Sequence, residues 1–210
     1  MGIFEDIDSK NIHKAQIKYS RKETLCKEGG FSSSIKLILS GFVKVFIEGP
    51  ENKNLIVKIL KAGDFLGGSA ICGDGTYYYS AIALKDTLTC HIDKDSVLSL
   101  IATNEKFALE LTKWYCYNDN ILFRKLASFG FKNIHGRIAE TLLYLNGEDF
   151  TKENLYDSLT RKDIADMAGM PVESAVRLLS ELSASKIIRM EGKRIEILDY
   201  IMLKRIRQGG

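Results

Sequence analysis

Cysteine and histidine are scarce in this 210-residue chain, with four cysteines at 26, 72, 90 and 116 and three histidines at 13, 91 and 135. There is no CxxC and no HxH pair. That excludes a zinc finger, predicts no metal site, and argues against a cupin-like β-roll metalloenzyme, the competing function from another class. Widely spaced thiols in a chain of this size need no stapling and are expected to stay reduced. No apolar run nears the roughly 18 to 20 residues that cross a bilayer, and no charged-then-apolar leader follows Met1. The expected compartment is the cytoplasm, with no membrane partner. There is no GxxxxGK[ST] phosphate loop and no GxSxG nucleophile turn, so nothing points to an enzyme. Excess charge is lacking too, since 30 Lys and Arg against 27 Asp and Glu leave +3, which alone does not suggest nucleic acid. That claim rests on motifs.

What the chain has is 45% apolar content, enough for one or two domains with real cores. From Gly29 to about His91, short alternating runs are cut by turn signals, as in an antiparallel sandwich or barrel. Ile35, Leu37 and Leu39 alternate with Lys36 and Ser40, Val43, Val45 and Ile47 with Lys44 and Glu48, and Leu55, Val57 and Ile59 follow. Breaks fall at Ser40-Gly41, Gly49-Pro50, Gly63-Asp64, Gly67-Gly68 and Gly73-Asp74-Gly75, and Ser80 to Ile92 reads as two more strands. This is the pattern of a small β-roll.

Near Asp93 the period changes. From about Glu105 to Ser128 apolar residues recur every three or four positions, predicting one helix about 36 Å long. Two stripes can be drawn on it. Phe107, Trp114 and Ile121 form one, assigned to the roll. Leu111, Tyr115, Asn118, Leu122, Leu126 and Phe129 form the other, assigned to the same helix of a second subunit with Asn118 setting register, although burial within one domain would also explain it. Gly130 interrupts the pattern and Asn133 can cap a new helix carrying Ile134, Ile138, Leu142 and Leu145. The junction reads as a hinge between a front domain, 1–130, and a back domain, 131–210. Residues 146–159 read as polar connecting structure.

Thr160 followed by Asp163 predicts a capped helix that Gly169 ends, and Pro171 suits the first turn of a second helix over 172–184. This is helix-turn-helix spacing, with Ala165, Gly169, Ala175 and Leu178 small or apolar where the two helices approach. Glu173, Val176 and Arg177 point elsewhere. Arg177 presents a donor fork matching O6 and N7 of guanine, while Glu173 can accept from cytosine N4 and also hold the guanidinium one turn away. A Glu and an Arg four apart are otherwise a solvated surface pair. Residues 187–197 then read as a hairpin wing with Lys193 and Arg194 at its turn. Lys162, Ser174 and Lys186 are further candidates for contacts to the DNA backbone.

Together these features resemble the Crp/Fnr family of transcription regulators over nearly the whole length. Gly41 with its flanking strands and Gly63-Asp64-Phe65-Leu66-Gly67 look like that family's cyclic-nucleotide-binding-type roll. Gly136-Arg137-Ile138-Ala139-Glu140-Thr141-Leu142 is similar to its helix after the hinge, and residues 159–165 and 172–179 to its helix-turn-helix. The resemblance implies an α+β fold, with an antiparallel β-roll, a long dimerisation helix and a C-terminal winged helix-turn-helix. It further implies a homodimer on a palindromic operator, base reading by Glu173 and Arg177, and contact with RNA polymerase.

The effector chemistry departs from the family pattern. Gly68 stands where the cyclic-AMP branch has Glu, Tyr79-Ser80 where it has Arg-Ser, and Leu122-Phe123 where it has Thr and Ser on the long helix. Without a guanidinium, a buried phosphate loses its main partner, so cyclic AMP is not the expected effector. Gly67, Gly68, Ser69, Tyr78, Tyr79, Ser80, Leu122 and Phe123 would line the corresponding pocket, which the run Tyr77 to Tyr79 either lines or fills. An iron–sulfur cluster needs close N-terminal thiolates and finds only Cys26. Haem on His13, His91 or a thiolate leaves little trace in a sequence and stays open, whereas Cys90 and His91 on one strand face opposite ways. The expected function is a DNA-binding regulator controlled by an unidentified effector other than cyclic AMP. The alternative is a regulator with a filled pocket, acting without a small ligand or through another protein.

Overall fold

The computed structural model describes residues 13–209, without the side chains of Asn52, Ser69, Ala70 and Asp149. Two four-stranded antiparallel sheets make the front. β1 (Lys14–Tyr19), β2 (Thr24–Cys26), β3 (Ser34–Ser40), β4 (Val43–Glu48), β5 (Asn54–Leu60), β6 (Phe65–Leu66), β7 (Ser80–Ala83) and β8 (Thr87–Asp93) are arranged β1-β8-β3-β6 and β2-β7-β4-β5. β1 and β2 precede the region where alternation begins to be legible. Gly41, at φ 97, turns β3 into β4 so tightly that a Cβ there would collide with Thr87.

β3 is buried on both faces, because helices cover the outside of its sheet. Ile38 meets Leu25, Val43, Val45, Leu66, Tyr77 and Ala81 inside the roll, while Ile35 and Leu37 pack outward with Phe65, Cys90 and Ile92. Lys36, read from alternation as a polar-face residue, shares the Ile38 face and points into the roll against Tyr77, so it is 7% exposed. The outer core is completed by Ile71 of α1 (Gly68–Cys72), Val97 and Leu100 of α2 (Lys94–Thr103), and Phe107 and Leu111 of α3 (Glu105–Phe131). Helix α3 runs through Gly130 without a break, and Lys132 N–H still donates to Ser128 C=O. The chain stops being helical at Lys132 and Asn133, not at Gly130 as the sequence suggested.

Asn133 caps α4 (Ile134–Leu145), its side chain accepting from His135 and Gly136 N–H at 2.9 and 3.1 Å. Next come α5 (Glu148–Lys152), a 3-10 turn at Leu155–Ser158, α6 (Arg161–Ala168), α7 (Val172–Ala184), a two-stranded sheet of β9 (Ile188–Glu191) and β10 (Arg194–Ile197), and α8 (Tyr200–Gly209). The segment 146–159 is more than connecting structure, because Phe150, Leu155, Tyr156 and Leu159 are buried there. The chain divides into two compact units, one made of 58–122 with the chain up to Glu48, the other of 49–57 with 123–210. Among the described residues no helix is long and apolar enough to cross a membrane.

Candidate nucleic-acid interface

Local chemistry sets both helices of the motif. Thr160 and Asp163 form a reciprocal capping box at the start of α6, with the Asp163 carboxylate accepting from Thr160 N–H at 2.8 Å and Asp163 N–H donating to Thr160 Oγ1 at 3.1 Å. Gly169 ends α6 in the left-handed region at φ 60, its N–H closing on Ala165 C=O. Two residues later the chain enters α7, whose buried side is Ala175, Leu178, Leu179 and Leu182. The opposite side exposes Glu173, Val176 and Arg177, with Ser174 half-buried. Arg177 pairs with Glu181 at 3.1 Å, one turn toward the C-terminus, and not with Glu173 as the sequence suggested. Such an exposed i,i+4 pair is worth a few tenths of a kcal/mol, so little energy holds the fork away from a base edge.

The surrounding cations divide. Lys162 lies 3.0 Å from both carboxylate oxygens of Asp166. Lys186 is exposed, with a left-handed backbone at φ 56. At the tip of the wing, Lys193 donates to Asp157 C=O at 3.1 Å, while Arg194 is exposed and borders a cleft of about 300 Å³ with Phe150, Tyr156 and Tyr200. The sequence reading missed Arg161. Its guanidinium donates to Gly192 C=O at 2.9 Å and ties the wing to the start of α6. A lone Arg at the first position of a capped helix carries no signal of that long-range contact.

In the roll, Gly67 (φ 93) donates its N–H to Tyr79 Oη at 3.1 Å. A Cβ on Gly68 would collide with the Tyr115 hydroxyl, so the absent side chain and the tyrosine on α3 are complementary. Ser80 donates to Glu48 Oε1 at 2.5 Å and accepts from Glu28 N–H at 2.9 Å. Tyr77 is 3% exposed, its hydroxyl 2.6 Å from Lys36 Nζ and 2.7 Å from Ser32 Oγ. Tyr78 is a correction. It lies on the surface, donating to Asp74 at 2.6 Å, because alternate residues of an extended run face opposite ways. Leu122 and Phe123 are likewise exposed and do not line the interior, and the Ser69 side chain lies outside the described residues. A largely apolar cleft of about 330 Å³ opens between α1, α2 and α3, bordered by Gly68, Cys72, Ile101, Leu111 and Tyr115.

The long helix is turned one position from the register expected of it. Trp114 Nε1 donates to Asp64 at 2.9 Å, Lys58 Nζ donates to Asn118 Oδ1 at 2.5 Å, and Lys58 lies over the Trp114 ring. These bonds aim Leu111, Tyr115 and Asn118 at their own unit, which leaves Leu109, Thr112, Cys116, Asp119, Phe123 and Leu126 exposed. Burial lowers the Lys58 pKa to about 8, against the pull of Asp64. His91 stacks on Tyr19, and burial, followed by the charge of Lys36, lowers its pKa to about 4. Among the described residues no three His, Cys, Asp or Glu side chains gather as a metal site would require.

Comparison with known proteins covers both units. Residues 16–104 match the cyclic nucleotide-binding domain and residues 136–206 the Crp-like helix-turn-helix domain. The chain is 25% identical to the CRP-like cAMP-activated global transcriptional regulator of Mycobacterium tuberculosis, over 97% of this chain and 95% of that one. It is 26% identical to the cAMP-activated global transcriptional regulator CRP of Salmonella typhimurium, over 86% and 88%. Among solved structures, FixK2 from Bradyrhizobium japonicum shares the fold at a TM-score of 0.78, with 18% identity and 92% and 97% of the two chains covered.

Proposed function

We propose, from the premise that this chain belongs to the Crp/Fnr family of DNA-binding transcription regulators and is not an enzyme, that it acts as a homodimer on a palindromic duplex site. Arg177 and Glu173 read a G·C-containing core of each half-site, Val176 lies against the same bases, and Lys162, Ser174, Lys186, Lys193 and Arg194 meet the backbone. The observation that carries this reading is the open face of α7, where Glu173, Val176 and Arg177 are exposed side by side. Two such helices would enter successive major grooves roughly 34 Å apart. Selection from random duplexes tests it. The Arg177→Ala protein is expected to lose preference at one base pair per half-site, and a variant selecting the parent's sequence defeats the assignment.

Dimerisation is supported by the exposed face of α3. Leu109, Thr112, Cys116, Asp119, Phe123, Leu126 and Gly130 follow a 3-4 repeat for three heptads, the spacing of a two-stranded coiled-coil seam. Asp119 is the charged position of that face, and a polar group inside such a seam sets register at some cost in stability.

Cyclic AMP is not the effector in this reading. The Glu48 carboxylate already engages Ser80, the one phosphate partner that remains, and would repel a phosphate brought to it. A second reading, control without a small ligand in the roll, is favoured by Tyr77 and Tyr79, which occupy the interior beside Gly67, and by Tyr115, which closes on Gly68 from α3.

A further inference from the structure

The turn between α6 and α7 is gripped from outside the motif. Lys125, near the end of α3, donates to Met167 C=O, and Arg137 of α4 donates to Gly169 C=O at 3.0 Å. Between them the Phe129 ring lies flush on Gly169, so that a Cβ there would strike it, with Lys125 Nζ 5.4 Å and the Arg137 guanidinium 5.7 Å from the ring centroid. A helix leaves its last carbonyls without partners, and cations suit that negative end. Here Ala165 C=O is taken by the N–H groups of Gly169 and Met170, and the Met167 and Gly169 carbonyls by these two side chains.

We propose that Lys125, Phe129 and Arg137 are positioning residues for DNA reading: by holding the turn through its carbonyls and its glycine they set the tilt at which α7 presents Glu173 and Arg177. The proposal rests on the base-reading assignment above. Geometry explains the leverage. Glu173 lies four residues beyond Gly169, and α7 extends about 20 Å from the turn, so a small rotation there displaces a donor fork that needs bidentate alignment.

Stability alone does not account for a lysine at 125. Burial lowers its pKa to about 8, with Glu140 opposing and Arg137 reinforcing that shift. Lys132 stands 3.0 Å from Glu140 Oε2, a charge pairing that lacks hydrogen-bond alignment, and Arg137 Nε is buried without a hydrogen-bond partner among the described residues. An apolar residue there would remove that desolvation cost but leave Met167 C=O without its donor, two effects of opposite sign. The service of Lys125 is therefore directional, since only a donor grips a carbonyl.

The test uses the full chain as parent, Lys125→Met and Phe129→Leu. The parent's preferred duplex is found by selection, and affinities for it and for a scrambled duplex are measured. Lys125→Met is expected to leave the protein folded, to leave scrambled-duplex affinity and its salt slope unchanged, and to lower the preferred-to-scrambled ratio at least about tenfold. Phe129→Leu is expected to lower that ratio in the same direction. Without DNA, amide exchange at Ala168, Gly169, Met170 and Val172 should speed up about tenfold in Lys125→Met. An unchanged ratio, or unchanged exchange at the turn, overturns the proposal. If exchange responds but the parent selects no sequence, the base-reading assignment has failed and takes the positioning role with it, while the grip on the turn stands.

Discussion

Leu111→Ala set against Leu126→Ala tests whether the exposed face of α3, and not the stripe its sequence suggests, forms the proposed seam, because Leu126 lies on both and Leu111 only on the latter. The Leu126 side chain is 67% exposed in the protomer, so about two-thirds of its surface is available to a second copy. Fully burying a leucine is worth roughly 2 kcal/mol. Two copies each losing two-thirds of that weaken the dimer by about 3 kcal/mol, roughly a hundredfold in its dissociation constant. Sedimentation equilibrium over a concentration series measures this directly, and operator affinity should fall with it at protein concentrations near the new constant. Leu111→Ala is the control. That side chain is 6% exposed and packs with Phe107 and Ile71, so its loss costs about 2–5 kcal/mol of folding stability and leaves self-association unchanged. If Leu111→Ala weakens the dimer as Leu126→Ala does, or Leu126→Ala leaves it unchanged, the reasoning from helix rotation fails.

Three further outcomes follow from the same contacts. Burial holds Lys58 and Lys125 near pH 8 in the folded chain against an ordinary 10.5, so between those values the unfolded chain binds protons that the folded chain has released. Stability should then rise with pH from about 8 to 9, above which the Cys26 thiol, held protonated by burial in the folded chain, begins to oppose it, with Lys58→Met removing part of the slope in urea titrations. A flat profile in the parent refutes this. Thiol reagents should label Cys72 quickly and Cys90 and Cys26 slowly, the Cys26 thiol being pushed by burial to about 12. Cys116, on the seam, should be slow in the dimer and fast in Leu126→Ala, and equal rates in both would argue against the seam. Calorimetric titration with cyclic AMP should give no binding in the parent, in Glu48→Ala or in Tyr79→Arg, while Gly68→Glu should lower the unfolding temperature because its Cβ meets Tyr115. Binding by any of these proteins defeats the account of the roll interior.

The helix-turn-helix was legible because its signals are local. A capping box four residues long and a glycine forced into the left-handed region specify α6 and its end with no help from distant parts of the chain. The rotation of α3 was not legible. Its apolar residues allow two seams one position apart, and the choice is made by Trp114 bonding Asp64 and Lys58 bonding Asn118, across 50 and 60 residues of sequence. The same holds for Lys36, whose strand alternates as a half-buried strand should, yet is covered on both faces once α2 and α3 dock. Arg177 illustrates a third case, in which two glutamates lie four residues away on either side and the periodicity of a helix treats them alike.

The departures from the cyclic-AMP branch form one self-consistent set. Losing the glutamate at position 68 would leave a gap if nothing else had changed, but Tyr115 closes it from α3 and tolerates no side chain there. Losing the arginine at position 79 would leave Ser80 without an anion to face, but Glu48 supplies one from within the chain. Tyr79, in the arginine's place, instead accepts the Gly67 N–H, one of the backbone donors at the start of α1 that would otherwise be open to an incoming anion. The replacement at 79 removes a partner for a phosphate, and Glu48 and Tyr79 satisfy Ser80 and the Gly67 N–H, two groups that a phosphate could otherwise have met. A roll altered this way keeps its packing against α3 without a nucleotide. On the proposed reading, the contacts of α3 that remain open to a signal are those at Lys58 and Asn118 and the apolar cleft beside Cys72 and Tyr115.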